Sequence, residues 1–195
     1  MLTDSLTADL QRILNLSQLS IHLREEWSST QNAGRVQIRQ YIFDTIEANN
    51  CFLDTDKVPS LTLGSLSISH DKMLGGFVHT TDDCSLGFDI EINERLNEKN
   101  VRRFASEEEF LNAPSASTLW TAKEAAYKAL PFTQQPTVIG EIELTNWKNI
   151  DKNWSLCQIG SVQKRPVHGY TVAVYKGEKQ TLAVVKGPPQ QGTGK

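Results

Sequence analysis

Cysteine is scarce in this chain, and a cysteine-based metal site or disulfide framework is correspondingly not expected. The 3 cysteines, Cys51, Cys84 and Cys157, lie far apart in the 195 residues and form no CxxC pair. Zinc sites use closely spaced cysteines and histidines, and disulfide frameworks use cysteines in even numbers. We therefore expect these side chains to be small buried apolar groups in a reducing compartment.

An excess of basic charge is also absent. The chain has 20 Lys and Arg against 23 Asp and Glu, which gives a formal net charge of -3. Proteins that bind nucleic acid by neutralising its phosphates carry an excess of basic residues. Nucleic acid is therefore not expected as a partner, whereas a small phosphate ligand, which needs only a few local cations, is not excluded.

Long apolar runs are missing as well. No stretch approaches the length of a membrane span, and the opening MLTDSLTADL has neither a basic flank nor a continuous apolar run. We expect no signal peptide, no membrane association and a cytoplasmic location. Hydrophobic residues still make up 38% of the chain, so a packed core is expected.

The apolar pattern predicts helices first and then mixed strands and helices, which indicates an α+β fold. Two strands are predicted at 75–80 and 85–92, as the arms of a hairpin around TTDDC. Ser106 followed by three glutamates is typical of a capped helix start. The predicted helices cover 3–26, 34–48, 106–113 and 118–130.

The segment LGFDIEIN predicts two neighbouring carboxylates on one face of a strand. Alternate side chains share a face, so Asp89 and Glu91 point away from the apolar Phe88 and Ile90. Like charges so close repel each other, and a hard cation such as Mg²⁺ would relieve that repulsion. The alternative is an edge strand whose acids are simply solvated.

The segment WTAKEAAYKAL allows two interpretations. Thr121 and Glu124 have the spacing of a capping box, and Glu124 and Lys128 that of a helical ion pair. The same spacing places Glu124 and Lys128 on one helix face, where a carboxylate can bind a metal or take a proton and a lysine can hold a phosphate.

The segment SLSISHD places a histidine at the end of a short strand. Ser69 and His70 are adjacent polar residues that can grip a phosphate together. The alternative is a structural histidine.

In combination, SISH, GFDIE and WTAKEAAYK resemble the 4'-phosphopantetheinyl transferase superfamily, in its surfactin-synthetase-activating type. The family pattern is a Gly-x-Asp-x-Glu strand and then a helix with Trp-Ser/Thr-x-Lys-Glu-Ala/Ser and a Lys four residues past the Glu. VRRFASEEEF is similar to the family's Arg-Phe-x-Ser-x-x-Glu stretch, and VHGYTVAVYKG to its closing strand. The resemblance runs from about residue 66 to residue 175.

The resemblance implies a pseudo-dimer of two similar α+β halves with the active site in the cleft between them. We expect an N-terminal half at 1–80 on the coenzyme A side and a C-terminal half at 81–187 with the metal and catalytic motifs. The composition of 188–195 predicts a flexible tail. A monomer is expected.

The resemblance also implies the reaction, which moves the phosphopantetheine arm of coenzyme A to a serine of an apo acyl or peptidyl carrier protein and leaves 3',5'-ADP. By family analogy Asp89, Glu91 and Glu124 hold Mg²⁺, and Glu124 and Lys128 are catalytic. The expected coenzyme A contacts are Arg35, Lys57, Ser69, His70, Lys123 and Lys128.

Some positions depart from the family pattern. The chain has Asp71 where the family often has Ser after the His, and its N-terminal half is shorter and less basic than is usual. The weakened N-terminal half is the only support for an alternative, a non-catalytic relative that binds a carrier protein or a nucleotide. A Mg²⁺-dependent enzyme acting on another phosphorylated substrate is a further alternative.

Overall fold

The computed structural model describes residues 2–28, 34–46, 61 and 63–189. Two of the cited sequence positions, Cys51 and Lys57, lie outside these ranges, as does most of the predicted tail. The described α-helices are α1 Leu2–Leu14, α2 Gly34–Ile46, α3 Glu98–Val101, α4 Glu107–Asn112 and α5 Ala116–Ala129. Single 3-10 turns occur at Glu25–Trp27, Asn93–Arg95, Arg102–Phe104, Phe132–Gln134 and Ile139–Glu141.

The strands of the described residues are β1 Ser20–Arg24, β2 Ser65–His70, β3 Gly75–Thr80, β4 Leu86–Ile92, β5 Ile142–Asn149, β6 Trp154–Val162, β7 Arg165–Pro166, β8 Thr171–Lys176 and β9 Gln180–Lys186. They form two antiparallel sheets. The N-terminal sheet has the order β1-β3-β2, and the C-terminal sheet has the order β4-β9-β8-β6-β5 with β7 paired to β6. The mixed helix and sheet content confirms the α+β prediction.

The C-terminal sheet is covered on both faces. Alternate residues along its strands point into two different hydrophobic cores. In β9, Ala183 and Val185 pack in the core that contains α5, whereas Leu182 and Val184 pack in the core that contains α1. A third, smaller core in the N-terminal sheet includes Trp27, together with residues of α2, β2 and β3. Burial on both faces explains why the central residues of β8 and β9 are continuously apolar.

Helix α5 begins earlier than the sequence predicts. Its N-cap is Ser115, whose hydroxyl accepts from the backbone N–H of Thr118. The capping box predicted at Thr121 and Glu124 is wrong, because Thr121 lies inside the helix and donates its hydroxyl to the carbonyl of Ser117. The N-cap predicted at Ser106 is confirmed, and the structure adds Glu109 as the second member of a capping box.

The first predicted helix, 3–26, is also wrong in its second half. Helix α1 ends at Leu14, and Asn15 follows with a φ of 50°, a left-handed conformation that Asn tolerates and that a continuing helix excludes. After the turn, Ile21 and Leu23 alternate with polar residues along β1. Because leucine recurs throughout 3–26, the change from helical to strand periodicity within this segment is not apparent in the sequence.

The predicted hairpin does not form, because its two arms belong to different sheets. Strand β3 pairs with β1 and β2, whereas β4 pairs with β9. The two sheets still adjoin, through serine side chains of β2. Ser67 Oγ accepts from the N–H of Phe88 at 2.9 Å, and Ser69 Oγ accepts from the N–H of Ile90 at 3.3 Å.

None of the helices in the described ranges is long and apolar enough to cross a membrane.

Candidate active site

Lys128 is at the point where β2, β4 and α5 meet. Its ammonium lies 2.8 Å from Asp89 Oδ1 and 3.0 Å from Ser69 Oγ. It also donates to the backbone carbonyls of Phe88 at 3.0 Å and Ile68 at 3.5 Å. One lysine of the C-terminal helix therefore contacts both sheets, and it does so beside the first acid of the GFDIE motif.

Asp89 is buried, with only 5% of its surface exposed. Its Oδ1 accepts from Ser69 Oγ at 2.8 Å and from Lys128. Its Oδ2 is buried without a hydrogen-bond partner among the described residues. Burial raises the pKa of Asp89 against the opposing effect of Lys128. The interpretation of this carboxylate as a solvated acid on an edge strand is therefore wrong.

Glu91 lies two residues further along β4 and is held by Trp120. The indole Nε1 donates to Glu91 Oε1 at 3.1 Å, and the edge of Phe104 packs against the same indole ring at 5.4 Å between centroids. The pKa of Glu91 is raised, first by burial and then by the neighbouring charge of Asp89. The two carboxylates of the strand thus interact electrostatically, as their shared face predicts.

Glu124 lies on α5 one turn before Lys128. Burial and then the negative charge of Asp89 raise its pKa to about 7, against the opposing effect of Lys128 and with a further contribution from Glu91. A carboxyl group with this pKa exchanges a proton readily near neutral pH. Three acids on two elements are therefore close enough to shift one another's protonation.

A pocket of about 240 Å³ opens beside this cluster, between α2 and β2. Arg35, Arg39 and Lys128 contribute cations to its lining, and none of the described residues that line it is acidic. Arg35 Nε donates to His70 Nε2 at 3.1 Å. Burial, followed by the charges of Arg35 and Lys128, lowers the pKa of His70. The pocket has the charge and size to receive a phosphate group.

A comparison with protein families matches residues 85–184 to the 4'-phosphopantetheinyl transferase superfamily. The chain belongs to this superfamily. The resemblance inferred from the motifs is confirmed, and phosphopantetheine transfer is the general activity that membership supports. The family uses coenzyme A as its substrate and acts on carrier proteins. A comparison with curated proteins gives no match.

The region matched to the transferase superfamily contains one part of the cluster and not the other. Asp89, Glu91, Glu124 and Lys128 lie within 85–184, whereas His70 and Ser69 on β2 and Arg35 on α2 precede it. The structure brings these two groups together at the junction of the sheets, through the contacts of Lys128.

Two expected coenzyme A contacts do not face the pocket. Lys123 is fully buried, pairs with Glu109 Oε1 at 2.7 Å and donates to the carbonyl of Ile142. Burial lowers the pKa of Lys123, against the opposing effect of Glu109. Ser69 is 4% exposed and is not among the residues that line the pocket. Lys57 lies outside the described residues.

The departure at Asp71 has a structural explanation. Its Oδ1 accepts from the backbone N–H groups of Met73 and Leu74 at 2.6 and 2.8 Å, and its Oδ2 accepts from Gln180 at 3.3 Å. Asp71 therefore forms the turn between β2 and β3 and ties it to β9. The carboxylate of Asp71 is occupied by these hydrogen bonds. Its negative charge still acts to raise the pKa of His70, against the larger lowering effects.

Three features of the site were not found from the sequence. Arg39 lines the pocket one helical turn after Arg35, a spacing that the sequence does show. Glu109 was seen only as part of a motif, and its burial against Lys123 could not be read from its position in an acidic run. Trp120 was part of the motif without an assigned role, and its bond to Glu91 depends on the tertiary packing.

Asp89, Glu91 and Glu124 are the candidate donors for a metal ion. Within the described ranges no three His, Cys, Asp or Glu side chains are already arranged as a metal site. The three acids nevertheless supply only hard oxygen donors, which suit Mg²⁺. The buried Oδ2 of Asp89 without a partner is a donor position that a cation would satisfy. The residues present therefore fit a divalent metal of this class.

Proposed function

We propose that this protein transfers the 4'-phosphopantetheine group of coenzyme A to a serine of an apo carrier protein, with release of 3',5'-ADP, in a Mg²⁺-dependent reaction. The observation that carries the proposal is the ion pair of Lys128 and Asp89 beside a pocket lined by cations. It combines an anionic donor set for a metal with a cationic site for phosphate, within a chain of the transferase superfamily.

Asp89, Glu91 and Glu124 are the residues that would hold Mg²⁺. A bound Mg²⁺ supplies neutralisation of pyrophosphate charge. The protein contributes the fixed directions of the carboxylates, because Oδ1 of Asp89 and Oε1 of Glu91 are each held by a hydrogen bond from a neighbouring side chain. The other oxygen of each carboxylate is left for a ligand.

Arg35, His70 and Lys128 are proposed to bind the phosphates of coenzyme A, and Arg39 joins them in the same pocket. The hydrogen bond from Arg35 fixes His70 with its Nε2 as acceptor. Guanidinium groups bind phosphate oxygens in a fork geometry, and a lysine binds them as a point charge. These contacts position the phosphorus for attack.

Glu124 is proposed as the group that accepts the proton of the carrier serine. The serine oxygen forms a bond to the phosphorus that carries the pantetheine arm, while the bond from that phosphorus to the oxygen of 3',5'-ADP breaks. The proton passes to the carboxylate of Glu124, whose pKa is raised to about 7 when no metal is bound. Lys128, one turn away, stabilises negative charge that develops on the phosphoryl oxygens.

The position of the cluster supports a cleft between two halves, 1–80 and 81–187. Its residues come from both sheets, with Ser69 and His70 on β2 and Asp89 and Glu91 on β4. We propose that coenzyme A lies in this cleft and that the carrier protein approaches its open side. The similarity of the two halves is part of the same proposal.

Intact-mass spectrometry of an apo acyl carrier protein tests the proposed function. The carrier is incubated with this protein and coenzyme A, with Mg²⁺ in one sample and with EDTA in the other. We expect a gain of one phosphopantetheine arm with Mg²⁺, no gain with EDTA, and recovery when excess Mg²⁺ is added back. The absence of any gain on acyl and peptidyl carriers, with coenzyme A binding retained, would instead favour the non-catalytic relative.

A further inference from the structure

The hydroxyl of Ser69 has its hydrogen-bonding capacity filled by the protein itself. It donates to Asp89 Oδ1 at 2.8 Å, and it accepts from Lys128 Nζ at 3.0 Å and from the N–H of Ile90 at 3.3 Å. A serine hydroxyl has one proton to donate and two lone pairs. Ser69 is also 4% exposed, so a phosphate would have to displace these partners to reach it.

The three partners of Ser69 come from two elements outside its own sheet. Asp89 and Ile90 belong to β4 of the C-terminal sheet, and Lys128 belongs to α5. Ser69 itself is on β2 of the N-terminal sheet. The hydroxyl of Ser69 therefore links the N-terminal sheet to Asp89 of the C-terminal sheet and to Lys128 of α5.

Ser67 provides an internal comparison on the same strand. It lies two residues earlier, on the same face of β2, and its hydroxyl accepts from the N–H of Phe88 at 2.9 Å. Both serines join β2 to the backbone of β4, and both are buried. Of these two serines, only Ser69 also has a hydrogen bond to the carboxylate of Asp89 among the described contacts.

A carboxylate with one oxygen held from two sides has a fixed plane. Ser69 and Lys128 both bind Oδ1 of Asp89, which fixes the direction of the unpartnered Oδ2. Groups that hydrogen-bond to metal ligands in this way orient them and raise the affinity for the metal. We propose that Ser69 is a positioning residue, which presents Asp89 Oδ2 to a divalent cation and holds Lys128 beside it. This inference rests on the proposed function of the same acids as metal ligands.

The test is a titration of the full chain with Mn²⁺ in the absence of coenzyme A. The electron paramagnetic resonance signal of free Mn²⁺ measures how much of the ion is bound. Mn²⁺ shares the preference of Mg²⁺ for carboxylate oxygens. Ser69→Ala is expected to weaken Mn²⁺ binding about 10- to 100-fold, the range found when such supporting groups are removed. Ser67→Ala removes the same kind of bond to β4 and is expected to keep the wild-type dissociation constant, with a similar fall in melting temperature.

Two further variants protect the test against misfolding. Ser69→Thr keeps the hydroxyl and is expected to bind Mn²⁺ more tightly than Ser69→Ala. Should Ser69→Ala fail to fold, Ser69→Cys keeps the size of the side chain with a much weaker donor and acceptor, and the same loss is expected.

Equal Mn²⁺ affinities in the wild type and Ser69→Ala, or equal losses in the variants at 67 and 69, would overturn the positioning role. The proposed function would survive that result if the carrier still gained mass with Mg²⁺. A wild type that binds no Mn²⁺ would overturn the metal site and the positioning role together.

Discussion

The two faces of α5 each carry a lysine in an ion pair. One pair is buried in the protein core, and the other lies beside a pocket. On the packing face, Lys123 has no exposed surface and pairs with Glu109, which is also buried. On the opposite face, called the cleft face after the proposed cleft, the side chain of Lys128 is 31% exposed and pairs with Asp89 beside the cationic pocket. The two lysines lie only five residues apart in the same motif.

The difference shows that exposure and neighbouring groups, more than the presence of an ion pair, separate a structural lysine from a functional one. All the partners of Lys123 in the described residues belong to the protein core, including the carbonyl of Ile142. Glu109 in turn accepts from the backbone N–H groups of Leu144 and Ser106. Lys128 adjoins Asp89 Oδ2, a buried oxygen with no hydrogen-bond partner in the part of the chain that the structure describes, and a pocket open to a ligand.

The largest expected effect is on the cleft face, from Glu124→Gln. The amide cannot accept the serine proton, so transfer to the carrier is expected to fall about 10²- to 10⁴-fold. The folded-state pKa of Glu124 is raised from 4.5 to about 7, so its stabilising contribution is present below pH 4.5 and is lost as the pH rises to about 7. The variant should therefore melt higher than the wild type at pH 8, measured by thermal unfolding.

Glu108→Gln is the matched control for that variant, because Glu108 is an exposed acid on α4 outside the site. Its transfer rate should equal that of the wild type. A Glu124→Gln variant that transfers at the wild-type rate would show that Glu124 is not part of the mechanism.

On the packing face, Lys123→Met is expected to lower stability by about 3 to 5 kcal/mol, because it leaves the buried carboxylate of Glu109 without its cation. Urea unfolding measures this loss. The folded fraction should still transfer phosphopantetheine at a rate close to that of the wild type. A stable Lys123→Met protein without transfer activity would reverse the roles assigned to the two faces.

The pH dependence of transfer sharpens the account of the cleft face. Glu124 must be ionised both to accept a proton and to hold Mg²⁺, and its pKa without a metal is about 7. Since a bound cation would lower that pKa, kcat/KM is expected to fall at acid pH, and the fall is expected to begin at higher pH when Mg²⁺ is limiting than when it is saturating. The measurement is the initial rate of carrier modification between pH 5.5 and pH 8.5 at both Mg²⁺ concentrations. A rate that changes neither with pH nor with Mg²⁺ over this range would argue against Glu124 as the proton acceptor.

The smallest expected effect is from the double variant Lys123→Met with Glu109→Gln. A buried ion pair removed as a unit destabilises less than a pair broken on one side. Glutamine keeps a carbonyl oxygen that can accept from the N–H of Leu144. The double variant should therefore recover part of the stability lost by Lys123→Met. A loss equal to the sum of the two single losses would show that the two side chains do not act as a pair.

Much of the site could be predicted from local geometry. Alternation along β4 placed Asp89 and Glu91 on one face, and the structure places that face against α5. Gly87 permits the approach, because a Cβ there would lie 1.9 Å from the carbonyl oxygen of Ala125. The four-residue spacing of Glu124 and Lys128 also predicted a shared helix face.

Two of the expected coenzyme A contacts, Lys123 and Ser69, do not line the pocket, and the same local geometry already separates each from a neighbour with which it was grouped. Two helical residues that are five positions apart differ in direction by about 140° around the helix axis. Lys123 and Lys128 therefore cannot share a face of α5. Successive residues of a strand point to opposite sides, so the side chains of Ser69 and His70 leave β2 in opposite directions. The family resemblance had grouped residues that the backbone separates.

Other features depend on tertiary packing and could not be predicted. The separation of β3 and β4 into two sheets follows from the pairing of β4 with β9, which lies about ninety residues later in the chain. The serine bonds that join the sheets exist only after both have formed. The position of Glu109 against Lys123 likewise requires α4 and α5 to pack on β5.

Transfer by Lys128→Met tests the central claim most directly, with the carrier analysed by intact mass and the melting temperature measured on the same sample. The account predicts a fall in transfer of about 10²- to 10³-fold, the loss typical when a group that stabilises transition-state charge is removed. It also predicts a smaller fall in melting temperature than that of Lys123→Met. Wild-type transfer by Lys128→Met would contradict the assignment of the cleft face of α5 as the active site.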